Sequence, residues 1–313
     1  MALLKLRPSF KDYLWGGHKL VDEFNKDYDG DILAESWEMS CHKDGPSYIV
    51  GGAFDGMTLS EYIEKNGKEV LGSNCDKFED FPILIKLIDA KKDLSVQVHP
   101  DNEYALKNEG QYGKTEMWYI VDCEPGAQLF YGFKNEISKE EFERRIKENT
   151  LTDILNAVKV KKGDVFFIDA GTIHAIGKDI LIAEIQQNSN VTYRVYDYGR
   201  KGADGKEREL HVDKAVEVTK RIPPAEKSFS PDIASCEYFT VDKLYLDGEY
   251  FSKVSGTVTD KSFMNVLFLS GSGEIVCGEE KMSFKKGDSF FLTANSGEYE
   301  VSGKCEALVT VVK

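Results

Sequence analysis

At 313 residues, with 41% hydrophobic and 30% charged side chains, the chain carries enough material for two packed units rather than one. Forty Lys and Arg against 54 Asp and Glu give a formal charge of −14, which argues against general binding to nucleic acid or an anionic membrane. Six scattered cysteines, Cys41, Cys75, Cys123, Cys236, Cys277 and Cys305, form no Cys-x-x-Cys pair and fit a reducing, cytoplasmic setting. The first residues, Met1 to Pro8, carry charge and no long apolar core, so neither a secretory signal nor a membrane anchor is expected.

In chain order, Thr58-Leu-Ser-Glu61 has the spacing of a capping box and opens an amphipathic helix. Short β-branched and aromatic runs then dominate: Ile83 to Ile88, Leu94 to Val98, Met117 to Val121, Ala157 to Val160, Val165 to Ile168 and Ile180 to Ile185. Ser138-Lys-Glu-Glu141 starts a second helix, with Phe142 and Ile146 on one face and charge on the other; Thr150-Leu-Thr-Asp153 is a weaker version of the same signal. Lys201-Gly-Ala-Asp-Gly-Lys206 reads as a mobile loop. Pro223 and Pro224, within Arg221 to Lys227, interrupt regular structure and mark a linker. Gly271-Ser-Gly-Glu274 reads as a hairpin turn rather than a phosphate loop, since no helical pattern follows it.

One β-unit occurs twice. Lys161-Lys-Gly-Asp-Val-Phe-Phe-Ile-Asp-Ala170 is echoed by Lys285-Lys-Gly-Asp-Ser-Phe-Phe-Leu-Thr-Ala294, and so close an echo indicates one supersecondary element used again. The first copy runs on to His174, whereas the second has Glu298 and no histidine follows His211. The expected organisation is therefore all-β dominated with a few flanking helices: residues 1–225 as a catalytic, metal-binding unit and residues 226–313 as a degenerate, metal-free one.

The densest chemistry lies in Ser95-Val-Gln-Val-His-Pro-Asp101. Alternation puts Ser95, Gln97 and His99 on one strand face and Val96 and Val98 on the other. Glu116, in a second alternating segment, and His174, after a turn, complete a set of two imidazoles, one carboxylate and one amide oxygen, which suits a divalent transition metal and most naturally one Zn²⁺ per chain. Lys86, a lone cation in an apolar strand, needs a partner or a pocket, and Lys114 shares a strand face with Glu116. His18, His42 and His211 sit in turn-like or charged surroundings and read as surface or hydrogen-bonded residues.

The order and spacing of these residues resemble those of cupin barrels and, more closely, the type I mannose-6-phosphate isomerases in their short bacterial form. The segments that carry the likeness span nearly the whole chain: Tyr13-Leu-Trp-Gly-Gly17, Ala34-Glu-Ser-Trp-Glu38, Ser95 to Asp101, Lys114-Thr-Glu-Met-Trp118, Gly171-Thr-Ile-His174 and Asn190-Val-Thr-Tyr-Arg194. The resemblance implies two cupin-like barrels (a bicupin) and zinc ligands at Gln97, His99, Glu116 and His174. It also implies an aldose–ketose isomerase that interconverts mannose 6-phosphate and fructose 6-phosphate through an enediol. By the same likeness Arg194 is the catalytic arginine, and Ser95 and Glu184 complete a pocket with Lys86 and Lys114. The proton carrier stays open among Glu184, Lys114, a bound water and His99, as does the cation that meets the phosphate. Two rival readings use the same residues. His99, Glu116 and His174 could serve an iron(II) dioxygenase of the cupin type, and a non-catalytic bicupin could bind a sugar. The expected partner is a small sugar phosphate, with the chain a monomer or weak homo-oligomer.

Overall fold

The computed structural model describes residues 2–202 and 205–313; Met1 lies outside the described residues, as do Ala203 and Asp204 of the loop expected at 201–206. Three antiparallel sheets organise the chain. A six-stranded sheet runs in the order Val165–Ile168, Glu116–Cys123, Ile180–Gln187, Ile83–Ala90, Glu35–Met39, Ser9–Lys11. A five-stranded sheet runs Tyr193–Tyr196, Val96–Val98, His174–Ala175, Gln128–Phe133, Leu155–Lys159. The two face each other as a flattened barrel, because alternation sends every second side chain of each strand inward. Trp15, Trp118, Ile120, Ile168 and Ile182 pack in that interior.

The opposite faces are buried as well. Met117, Tyr119, Ile83, Ile85 and Leu87 from the six-stranded sheet enter a core shared with Phe239, Val241 and Phe263 of the C-terminal unit. Val96, Val98, Phe133 and Tyr193 from the five-stranded sheet pack under two helices, against Phe142 and Ala215. Strands covered on both sides explain why Ile83–Ala90 and Ile180–Gln187 read as almost continuous apolar runs.

The third, nine-stranded sheet is built on two long strands, Met264–Cys277 and Gly297–Val311. The two Lys-Lys-Gly-Asp copies fold alike. In both, the glycine has positive φ (Gly163 +89°, Gly287 +90°), and the aspartate accepts a hydrogen bond from the amide of the first lysine (2.9 Å at Asp164, 3.0 Å at Asp288). Each turn feeds the expected strand, Val165–Ile168 or Ser289–Leu292.

Two features depart from expectation. Leu3–Arg7 and Tyr48–Val50 belong to the nine-stranded sheet, Leu3 lying opposite Leu292, so the division expected at residue 225 separates the chain but not the sheets. Gly271 to Glu274 are not a hairpin turn; they lie inside Met264–Cys277, just after an irregularity between Phe268 and Ser270. Gly271 has φ +80°, and a Cβ there would meet Lys304 O at 1.8 Å, so this glycine serves close strand approach rather than chain reversal.

The two capping boxes start helices as expected. Thr58 caps Leu59–Asn66 in a reciprocal pair with Glu61, and Ser138 caps Lys139–Lys147, whereas Leu151–Ile154 is a single 3₁₀ turn without a side-chain cap. The helices Asn102–Glu109 and Val212–Val218 were not anticipated; Asn102–Glu109 buries only Ala105, so no apolar period announces it.

The N-terminal strand carries Leu3 into the core of the C-terminal unit, where it is 1% exposed. Leu3→Ala is expected to cost about 2–5 kcal/mol by cavity formation, read as a lower denaturation midpoint; an unchanged midpoint would show that this strand is dispensable to the second sheet.

Candidate active site

The strand registers bring the expected residues to one place inside the first barrel. His174 lies opposite Gln97, and Arg194 lies opposite Gln97 on the other side. Glu184 lies opposite Lys86 on one neighbour and Trp118 on the other. Because side chains alternate, Ser95, Gln97 and His99 enter the barrel while Val96 and Val98 take the helix-covered face.

At the centre, one donor atom from each of His99, Glu116 and His174 lies within 4.8 Å of the others. His99 Nε2 is 3.7 Å from Glu116 Oε2, and His174 Nε2 is 3.4 Å from Glu116 Oε1. Each ring has its Nδ1 at 2.8 Å from a backbone carbonyl, Val191 O or Thr172 O. A carbonyl can only accept, so Nδ1 carries the proton and donates, and Nε2 presents its lone pair to the centre. Both rings are held neutral: burial, helped by Lys114 and His174, pushes His99 well below its ordinary range, and burial pushes His174 down to about 4.

Glu116 is fully buried, and neither of its oxygens accepts a hydrogen bond from the protein. Lys114 Nζ comes within 2.7 Å of Oε2, an ion pair without hydrogen-bonding direction. Burial, and then the neighbouring Glu184, raise the Glu116 carboxyl to about 8 despite Lys114. Two neutral lone pairs facing an unsatisfied carboxylate in a dry site fit a divalent cation. The Gln97 amide nitrogen is 3.4 Å from His174 Nε2, and the amide turned over offers its oxygen at the same place.

From Glu116 a ladder of alternating charge runs outward. Lys114 is 3.5 Å from Glu184, Glu184 is 3.4 Å from Lys86, and Lys86 is 3.6 Å from Glu35. Trp118 Nε1 donates to Glu184 at 2.9 Å and Trp37 Nε1 to Glu35 at 2.7 Å. Burial alone would push Glu184 up, but Lys114 and Lys86 outweigh it and hold the carboxyl down at about 2. Burial likewise opposes the charge on Lys114, which Glu116 and Glu184 restore and hold above its ordinary range.

Beside this ladder lies a cavity of about 250 Å³, lined by Lys86, Ser95, Gln97, Lys114, Glu184 and Arg194 among others. Larger cavities, about 890 Å³ beside Pro223 to Ile233 and about 500 Å³ around Cys41 and Cys75, include none of the expected site residues, so size does not identify the site. Arg194 Nε donates to Ser95 Oγ at 3.2 Å and Nη1 to the Glu209 carbonyl at 3.1 Å. No carboxylate lies within ion-pair distance of Arg194 among the described residues. A purely structural pairing with Asp197 or Glu184 is therefore ruled out, Asp197 being taken by Arg200 and Arg208.

Among the cavity residues that escaped the sequence reading of the site are Tyr13, Glu35 and Arg208. Tyr13 and Glu35 stood inside the segments that carried the resemblance, whereas Arg208 follows a polar loop with no recognisable pattern. The remaining histidines lie outside the cluster. His18 pairs with Asp22 at the surface, His42 contacts Gln111, and His211 Nδ1 accepts from the Arg194 amide.

A double-barrel chain with a buried two-histidine, one-carboxylate cluster beside a charged cavity is a cupin-type enzyme. Comparison with known proteins narrows this. The pattern of the phosphomannose isomerase type I catalytic domain matches residues 3–156, and that of the mannose-6-phosphate isomerase cupin domain matches residues 232–312. The chain is 40% identical to the mannose-6-phosphate isomerase ManA of Bacillus subtilis over 318 residues, covering 98% of each chain. It is 35% identical to the mannose-6-phosphate isomerase of Streptococcus mutans over 316 residues, 98% of this chain and 97% of that one. The crystal structure of a Bacillus subtilis mannose 6-phosphate isomerase superposes with a TM-score of 0.89 at 35% identity, covering 99% of each chain. The chain belongs to the type I phosphomannose isomerase family, whose members are aldose–ketose isomerases.

If the cluster holds a cation, binding stabilises the folded state by mass action. A divalent cation added to chelator-treated protein at about 100 times its dissociation constant is expected to add about 2.7 kcal/mol, seen as a raised thermal midpoint. An unmoved midpoint across the divalent series would remove the metal assignment.

Proposed function

We propose that the protein is a zinc-dependent isomerase interconverting mannose 6-phosphate and fructose 6-phosphate. The observation that carries this reading is the sealed carboxylate of Glu116. It accepts no hydrogen bond and faces two Nε2 lone pairs, and its neighbours Gln97 and Lys114 line a cavity together with Lys86, Arg194 and Arg208. Gln97, His99, Glu116 and His174 would hold the metal, and when bound it supplies Lewis-acid polarisation of the sugar's carbonyl and neighbouring hydroxyl.

Moving hydrogen between C1 and C2 passes through an enediol, so negative charge develops on oxygen and must be met inside the cavity. Arg194 is a permanent cation there, with no carboxylate within ion-pair distance among the described residues. Lys114 Nζ is buried and charged, and it donates to the sugar oxygen on which charge builds. Glu184 keeps Lys114 charged and holds Lys86 in place, and it accepts from a sugar hydroxyl. Ser95 Oγ fixes the Arg194 guanidinium against the floor of the cavity. Burial of Lys86, Lys114 and Glu184 strengthens the interactions they make.

Two experiments test the proposal. Chelation should abolish conversion of mannose 6-phosphate and zinc should restore it, while oxygen uptake with iron(II) and no isomerisation would establish the dioxygenase reading instead. Arg194→Ala should lower kcat by roughly 10²–10³-fold with zinc content intact, and His174→Ala should lose zinc and turnover together. Retained turnover in Arg194→Ala would take the arginine out of the reaction.

A further inference from the structure

The cations of the cavity fall into two sets. Lys86 and Lys114 are locked between Glu35, Glu184 and Glu116, so their charge is already matched by three carboxylates. Arg194 and Arg208 line the same cavity and are not matched in this way. Arg194 has no carboxylate partner among the described residues. Arg208 shares one carboxylate, Asp197, with Arg200.

The Asp197 arrangement is directional. Arg208 donates through Nε to Asp197 Oδ2 at 2.6 Å and through one terminal nitrogen to Oδ1 at 2.7 Å, a side-on bidentate pair. Arg200 binds the same Oδ1 and, through its other terminal nitrogen, the Asp93 carbonyl. Asp197 is 6% exposed and is held ionised, since Arg208 and Arg200 outweigh its burial. A buried carboxylate clamped from two sides fixes the plane of the Arg208 guanidinium, and Arg208 Nη1 makes no hydrogen bond among the described residues. Three guanidiniums to one carboxylate leave a local surplus of positive charge in a protein of net charge −14.

We infer that Arg208, oriented by Asp197, grips the phosphate of the substrate, and that Lys86 and Lys114 do not. This rests on the isomerase reading above only for the identity of the phosphate-bearing molecule. Arg208 is the binding residue; Asp197 touches no substrate and is a positioning residue. A phosphoryl group held at Arg208 leaves the sugar's C1 and C2 to extend toward Arg194, Lys114 and the metal cluster, so recognition and chemistry fall to different cations of one small cavity.

Calorimetric titration of the zinc-loaded enzyme with inorganic phosphate tests this without relying on turnover. Arg208→Gln should weaken phosphate binding by about tenfold or more, the loss expected for a charge-assisted pair. It should raise KM for mannose 6-phosphate by a similar factor while kcat changes by less than about threefold. Arg208→Lys should recover part of the loss, and Asp197→Asn should weaken phosphate in the same direction with zinc content unchanged. Phosphate bound equally well by Arg208→Gln and the wild-type protein, as it would be if it only ligated zinc, overturns the inference. So does a fall in kcat with KM unchanged. If phosphate binding depends on Arg208 but the wild-type enzyme does not isomerise mannose 6-phosphate, the isomerase reading fails and the anion site stands.

Discussion

The carboxylate of Glu116 sets the terms for the rest of the structure. A fully buried carboxylate without hydrogen bonds is costly, and it persists only where surrounding groups compensate it. Here the compensation comes from Lys114, itself balanced by a second carboxylate, while two imidazoles from distant strands, their outer nitrogens tied to backbone carbonyls, aim lone pairs at the same point. Each tie removes a degree of freedom. The rings cannot rotate without losing a carbonyl bond, and Lys114 cannot leave without stranding Glu116. A rigid donor set of this kind is what a catalytic metal requires, since the protein must hold the ligands while the substrate changes shape.

The two copies of the Lys-Lys-Gly-Asp unit show how little of this comes from the fold itself. In the first barrel Ile168 lies opposite Glu116; in the second its counterpart Leu292 lies opposite Met264. The turn chemistry, the glycine conformation and the strand that follows are the same. The side chain at that register position changes, the histidines are gone, and the second interior is apolar, with Phe268, Phe284 and Phe290 packed together. The second unit contributes through the interface. Its Glu306 accepts from the Tyr119 hydroxyl, Lys243 donates to the same hydroxyl at 2.8 Å, and Lys26 reaches from the first unit to the Gly287 carbonyl at 2.6 Å. Tyr119 stands next to Trp118, whose indole holds Glu184, so the second barrel braces the strand that carries the charge ladder.

Much of the site was legible because a strand has a period of two. Ser95, Gln97 and His99 could be placed on one face from alternation alone, and Glu116 and Lys114 likewise, and the strand bounds around Val165–Ile168 came directly from the repeat. What stayed hidden depends on pairings that no local pattern encodes. The sheet membership of Leu3–Arg7 is a contact across 289 positions, from Leu3 to Leu292. The helix Asn102–Glu109 is held by its Asp101 cap rather than by an apolar stripe. Gly271 to Glu274 carry turn-forming residues, yet the chain runs straight through because glycines let two long strands approach closely. Glu35 faces Lys86 only because Glu35–Met39 happens to adjoin Ile83–Ala90, and Arg208 reaches the cavity only because Asp197 holds it there.

Net charge and local charge point in opposite directions, and the contrast is informative. A chain at −14 repels anions at long range, where salt screens the field beyond about 8 Å at physiological ionic strength. Inside the cavity the screening is weak and the balance is decided by neighbours. The ladder from Glu35 to Glu116 has three carboxylates and two ammonium groups, a deficit of one positive charge that a divalent cation would convert to a surplus of one. Arg194 and Arg208, which line the cavity, with Arg200 behind them, add a surplus of two against Asp197. A dianionic sugar phosphate would thus find matching charge only where its two ends are separated, one against the guanidiniums and the other against the cluster, and that separation orients the sugar before any chemistry begins.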